Sequence, residues 1–155
     1  MKVNRIIPAI LVSICMAFIL ACGEEKTVSL EGSEDIAAGI QKLTECYDNS
    51  ETTGKIYAEN AVLKWQDGET AQMREQKGLT EIMEHYKDKG KNYRLVKVSI
   101  TDIQKSADNA HLKYQLTSED RRTNVQYKIN CSSEMVKLGP AWKIKEEIRK
   151  MDLYD

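Results

Sequence analysis

The chain has 155 residues, with 23 Lys plus Arg against 24 Asp plus Glu and a formal charge of −1. That mixed-sign balance excludes a basic nucleic-acid-binding arm and a strongly cationic membrane patch. Four cysteines and two histidines without a Cys-x-x-Cys pair give no metal-ligand pattern, so neither metal nor cofactor is expected.

The first segment reads as an export signal. Lys2 and Arg5 form its basic start, an apolar run from Ile6 to Leu20 broken only by Pro8 and Ser13 forms its middle, and Ala21 is the small residue before a cut. The apolar run is shorter than the roughly 20 residues of a spanning helix. An uncleaved anchor and an ordinary signal cut elsewhere are the alternatives. The closing Ile19-Leu20-Ala21-Cys22 resembles the lipobox of bacterial lipoproteins. The resemblance implies a signal peptide over 1–21, acylation of Cys22 (palmitate-type chains) and a tether over 22–32. It also implies attachment to a membrane of the cell envelope: the outer membrane if the cell has two, otherwise the outer face of the plasma membrane. Stable anchoring of this kind takes more than one acyl chain.

Residues 33–155 then form one domain. Ser33 is placed to cap a helix whose first turn holds Glu34 and Asp35, as the helix dipole favours. Ile36, Ile40, Leu43 and Tyr47 recur at helical spacing, and Asp48-Asn49-Ser50 closes that helix. A short second helix is expected over 53–58 and a strand over 61–66, stopped by Asp67-Gly68. After a polar loop, Leu79, Ile82, Met83 and Tyr86 mark a third helix opened by Gly78.

The remainder alternates with period two, as half-buried strands do. Val96, Val98 and Ile100 form one set, and Ala110, Leu112, Tyr114 and Leu116 a second. Val125, Tyr127, Ile129 and Cys131 form a third, which slips phase towards Val136 and Leu138 as a bulge would make it. Trp142, Ile144 and Ile148 line the last strand, after a Gly139-Pro140 turn. Helices followed by antiparallel strands indicate an α+β fold.

The block Ile56-Tyr57-Ala58-Glu59-Asn60-Ala61-Val62-Leu63, then Asp67-Gly68, Gly78-Leu79-Thr80-Glu81-Ile82 and Gly139-Pro140-Ala141-Trp142-Lys143-Ile144, resembles the nuclear transport factor 2-like superfamily. That superfamily includes polyketide-cyclase-like proteins and ketosteroid isomerases. The resemblance implies a cystatin-like cone, in which helices come first and a strongly curved antiparallel sheet wraps around the long first helix. An apolar pocket in the mouth and a homodimer through the sheet's outer face are implied with it. The isomerases' catalytic carboxylate falls at Trp65, and an indole cannot accept a proton from a carbon acid at neutral pH. Their oxyanion-hole tyrosine falls near Gln41 to Leu43, where no tyrosine stands. Their second acid falls around Ser132 to Glu134, where only Glu134 qualifies.

Several residues are candidates for a site. Tyr57, Trp65, Tyr114, Tyr127 and Trp142 can wall a pocket, or be ordinary core. Glu146 shares phase with Trp142, Ile144 and Ile148, and is the one acid placed on the apolar face. It is either a pocket carboxylate or a solvated residue where the strand twists out. His85 and His111 are expected at the surface. Cys46 and Cys131 fall among apolar neighbours, so a disulfide between them and two buried free thiols both remain open. Function is read as binding of a small apolar ligand or an envelope protein without catalysis. The alternatives are a polyketide-cyclase- or dehydratase-like enzyme using a carboxylate in the cone, and a dimerising accessory module with a filled cone.

Overall fold

The computed structural model of the protein describes residues 31–151. The export signal, Cys22 and most of the tether lie outside the described residues. Among the described residues no helix is long and apolar enough to cross a membrane. Helical segments come first: α1 (Glu34–Gln41), α2 (Leu43–Cys46), a 3-10 turn (Ser50–Thr52) and α3 (Thr53–Ile56). The strands β1 (Tyr57–Gln66) and β2 (Met73–Lys77), the helix α4 (Gly78–Lys89), and the strands β3 (Tyr93–Lys105), β4 (Asn109–Asp120), β5 (Gln126–Leu138) and β6 (Ala141–Met151) follow. The strands form one six-stranded curved sheet in the order β2-β1-β6-β5-β4-β3. All neighbours are antiparallel except β1 and β6, which run parallel.

Helix periodicity placed the buried residues well. Ile36, Ile40, Leu43 and Tyr47 all face the core. The helix itself is less continuous than expected, because it breaks at Lys42. Gly39 weakens this turn, and the Lys42 N–H closes on the Gly39 carbonyl at 3.3 Å, a tightened three-residue closure. The Ser33 carbonyl accepts the Ala37 N–H at 3.0 Å, but its hydroxyl makes no capping bond. Among the described residues the longest helix is therefore α4, with 12 residues. Two glycines bracket it. Gly78 starts it at φ 80°, a backbone conformation that disfavours other residues. Gly90 ends it so close to α2 that an added Cβ would lie 2.0 Å from the Tyr47 carbonyl oxygen. That approach brings the Tyr47 and Tyr86 rings to 5.2 Å.

The sheet departs from the expected alternation in three places. The polar loop after β1 contains β2, whose side chains are mostly exposed and so carry no apolar signal. β3 is bulged twice, between Leu95 and Lys97 and between Ile100 and Asp102, which leaves Val96 39% exposed while Leu95 is buried. The expected slip in β5 is absent. Its pairing with β4 runs unbroken, and its inward phase passes from Cys131 through Ser133 to Met135, leaving Val136 and Leu138 outside it. The bulge falls on β6 instead. Met135 pairs with Ile144 and Glu134 with Glu146, so Lys145 is an extra residue on β6. One inserted residue reverses the facing of everything after it. Trp142 and Ile144 are buried before the bulge. After it, Glu147 and Arg149 are buried and Glu146 is not.

Candidate functional site

The bulge places two opposite charges inside the cone. The Glu147 side chain is 0% exposed and that of Arg149 4%. An ion pair taken out of water is tolerated only when its geometry is good and the remaining polar atoms are satisfied. Both conditions hold for Glu147. Arg149 Nε donates to Glu147 Oε1 at 2.8 Å. The Tyr114 hydroxyl donates to the same oxygen at 2.5 Å and contacts the Ser133 hydroxyl at 2.7 Å. The Tyr57 hydroxyl donates to Oε2, which also receives Arg149 Nη2 at 3.3 Å. Arg149 Nη2 further reaches the hydroxyls of Tyr86 and, at 3.2 Å, Tyr57. Burial, the largest influence, raises the Tyr57, Tyr86 and Tyr114 phenols well above their ordinary range, so each stays a neutral donor.

Above this charged floor lies a pocket of about 460 Å³, lined among others by Tyr47, Trp65, His85, Lys89, Tyr127 and Arg149. Register explains the assembly. Trp65 on β1 and Cys131 on β5 flank Arg149 on β6, while Ile129 and Met151 form the next layer towards the mouth. Tyr93 and Tyr127 meet edge to face at 6.5 Å near the opening. The Trp65 indole packs on the His85 ring at 4.9 Å, with the Lys89 Nζ 4.6 Å from its centroid. Its Nε1 is buried and has no hydrogen-bond acceptor. A buried donor left unpaired in this way costs about 1–3 kcal/mol.

Sequence reasoning expected His85 at the surface, but it lies largely buried in the pocket wall. Burial first, then the nearby Arg149 and Lys89 cations, pull its pKa down to about 3. His111 stays on the other face of β4, opposite Glu134.

The expected site residues divide three ways. Trp65 and Tyr127 line the pocket. Tyr57 and Tyr114 lie beneath it, bonded to Glu147. Trp142 and Glu146 belong to neither group. Trp142 lies at the start of β6, donating from Nε1 to Asp35 at 2.9 Å and so tying that strand to α1. Glu146 is turned outward by the bulge and pairs with Lys64 at 2.7 Å, both about a third exposed. Glu134, the other acid considered, is exposed on β5. Cys46 and Cys131 are free buried thiols, so the disulfide alternative is not the one formed. Burial pushes the Cys46 thiol up to about 12 and raises Cys131 as well, leaving both unreactive. Glu147 and Arg149 went unnoticed because strict alternation from Trp142 faces both outward. Their opposite charges two residues apart, in a strand otherwise able to be buried, were the available signal.

No protein-family model matches the chain, and no curated protein does. Solved structures do match. A ketosteroid isomerase-like protein from Erwinia carotovora atroseptica aligns with a TM-score of 0.61 at 19% identity, over 77% of this chain and 95% of that one. A protein of unknown function with a cystatin-like fold from Nostoc punctiforme aligns at 0.65 and 14% identity, over 81% and 95%. A putative isomerase from Bacillus subtilis aligns at 0.55 and 18%, over 77% and 84%. The chain thus has the cone fold of nuclear transport factor 2-like and cystatin-like proteins. Identities this low define architecture and leave the chemistry to the site.

Two outcomes are expected from this geometry. Replacing Glu147 by Leu strands the Arg149 charge and should destabilise the domain by about 3–5 kcal/mol. The double change Glu147→Leu with Arg149→Met should recover most of that loss, and urea denaturation of the three variants measures both. For His85, the folded pKa of about 3 lies below the ordinary imidazole value of 6.5. The unfolded chain therefore binds the proton first, and this contribution to stability is lost as pH falls from about 6.5 towards 3. His85 ring resonances should stay unshifted from pH 8 to 5 in NMR titration. A His85→Gln variant should lose less stability over the same acid range.

Proposed function

We propose that the protein is an envelope-anchored binding domain, held by lipid on Cys22, whose cone takes up a small molecule with a flat apolar body. The observation that carries this reading is the pocket of about 460 Å³ walled by Tyr47, Trp65, Tyr93, Tyr127 and Ile129. Its size falls within the roughly 300–1,000 Å³ of ordinary small-molecule sites. A cone filled throughout would leave no such space, so the accessory-module alternative is the less supported. The pocket floor is a hydrogen-bonded network fixed before any ligand arrives, which lowers the ordering cost of binding.

Proton abstraction has weaker support. The carboxylate inside the cone is Glu147, and each of its oxygens already accepts hydrogen bonds from a tyrosine and from Arg149. A general base needs a lone pair within reach of the substrate proton. The isomerase-related names among the structural matches bear on the fold only.

In a Trp142→Phe variant Trp65 is the remaining tryptophan, so its emission reports on the pocket. Titration with 4-phenylbutanol, 4-phenylbutanamide and 4-phenylbutyrate should give a saturable change with at least one of them. Ser118→Phe, which fills space at the pocket wall, should abolish it. Absence of saturation with all three probes, together with no retained small molecule in native mass spectrometry, would refute the reading. For the anchor, Cys22→Ala should move the protein from the membrane to the soluble fraction. Retention of that variant in the membrane fraction would rule out a lipid tether.

A further inference from the structure

We infer that the ligand carries an acidic group, a carboxylate on the apolar body, which is received by Arg149, Lys89 and the Trp65 indole N–H. The inference rests on the binding reading above and adds the chemical class of the ligand.

Three separate observations concern residues of the pocket lining. The first concerns Arg149, which lines the pocket and whose bonds to Glu147, Tyr57 and Tyr86 leave from Nε and Nη2, so none of these occupies Nη1. The Tyr47 phenol, in the same lining, is a further hydrogen-bond partner of the guanidinium. The second is the Trp65 Nε1, a buried donor without an acceptor. Trp65 pairs with Arg149 in the β1–β6 register, so the two residues lie side by side on neighbouring strands, and both line the pocket. The third is Lys89, which holds its ammonium 4.6 Å from the Trp65 ring centroid and 5.9 Å from that of Tyr93. An ammonium on a flexible stem can swing from a ring face to an anion.

The rest of the pocket does not oppose this assignment. Asp67 is also in the lining, but it is committed elsewhere: Oδ1 accepts the Glu69 and Thr70 N–H groups at 2.9 and 3.0 Å, and Oδ2 accepts Arg74 Nε at 2.9 Å. Glu69 lies at the exposed rim. His85 is neutral and contributes no charge of its own. Glu147 offsets one of the two inner cations, so the interior retains one positive charge, which suits a monoanion. A carboxylate offers acceptor positions to an ammonium, a guanidinium and an indole at once. A neutral amide of the same shape brings one carbonyl oxygen and an NH₂ that meets only other donors.

The test compares 4-phenylbutyrate with 4-phenylbutanamide, which have the same body and differ in head group, by calorimetry at pH 7.5. The acid should bind at least about tenfold more tightly at low ionic strength, with the ratio shrinking as salt screens the charge. Lys89→Met should cut the acid's advantage several-fold. Trp65→Phe, which keeps a ring and removes the donor, should reduce it as well. Both changes spare the buried ion pair, so folding is preserved where an Arg149 variant could lose it. Equal binding of acid and amide would overturn the inference while leaving the pocket reading intact. An acid preference undiminished in both variants would also overturn it, because the anion would then be held elsewhere. Binding of neither probe would overturn the inference; the pocket reading falls with it only if 4-phenylbutanol also fails to saturate and no small molecule is retained.

Discussion

A carboxylate and a guanidinium sealed inside the cone, Glu147 and Arg149 on β6, set the terms for the surrounding structure. Their desolvation is tolerable only because other elements supply partners. Tyr57 comes from the start of β1, Tyr86 from α4, Tyr114 from β4 and Ser133 from β5. Three elements are thus tied directly to β6 through two side chains, and β5 joins them through the Ser133–Tyr114 bond. Loss of either charge would leave the other unpaired in a largely dry site, so the network tolerates joint replacement better than single change. Stability alone is a poor reason to keep such a pair, since well-packed apolar residues often serve as well or better. What the pair does provide is a cation fixed at the bottom of an aromatic pocket.

The pair exists because of one inserted residue. Before Lys145, β6 follows the alternation begun by Trp142 and Ile144. After it, the inward set becomes Glu147, Arg149 and Met151. This marks the limit of what the sequence makes legible. Period-two alternation reveals strands and their apolar faces, and it placed Ala110 to Leu116 correctly because β4 pairs with β5 without interruption. It cannot locate a bulge to the residue, and a one-residue error exchanges the two faces. The apparent slip between Cys131 and Val136 was read as a bulge in β5, whereas Ser133 and Met135 carry the inward phase there and the insertion lies on the neighbouring strand. Glu146 was therefore assigned the place that Glu147 occupies. The cone was legible for a different reason. The turn and hairpin residues that carry the family likeness, Asp67-Gly68, Gly78 and Gly139-Pro140, are local features that survive a register error. β2 was not legible, because a short edge strand with exposed polar side chains has the composition of a loop.

The same burial that makes the network costly separates reactive from inert groups. Cys46 and Cys131 occupy core positions where the thiolate is suppressed, and they behave as small apolar residues. The tyrosines of the floor are held neutral and donate. His85, pressed between Trp65 and the cations, is kept neutral as well. Arg149 and Lys89 are the cations of the pocket lining and both have donors to offer, while the lining acid Asp67 is bonded to Arg74 and to backbone N–H groups.

Trp65 and Arg149 are best understood together. The resemblance read from the sequence implies an isomerase-type catalytic carboxylate at the position of Trp65, and the β1–β6 register sets that position beside Arg149 on the neighbouring strand. A carboxylate there would pair with the guanidinium, its pKa would fall, and it would be a poor base for carbon acids. It would also compete with Glu147 for Arg149 and leave the floor with excess negative charge. An indole avoids both conflicts, because it carries no charge and packs against His85 with the Lys89 ammonium over its ring. On that reading the absent base and the buried arginine are one property of the site, and the cations Arg149 and Lys89 in the lining suit it to holding an anion.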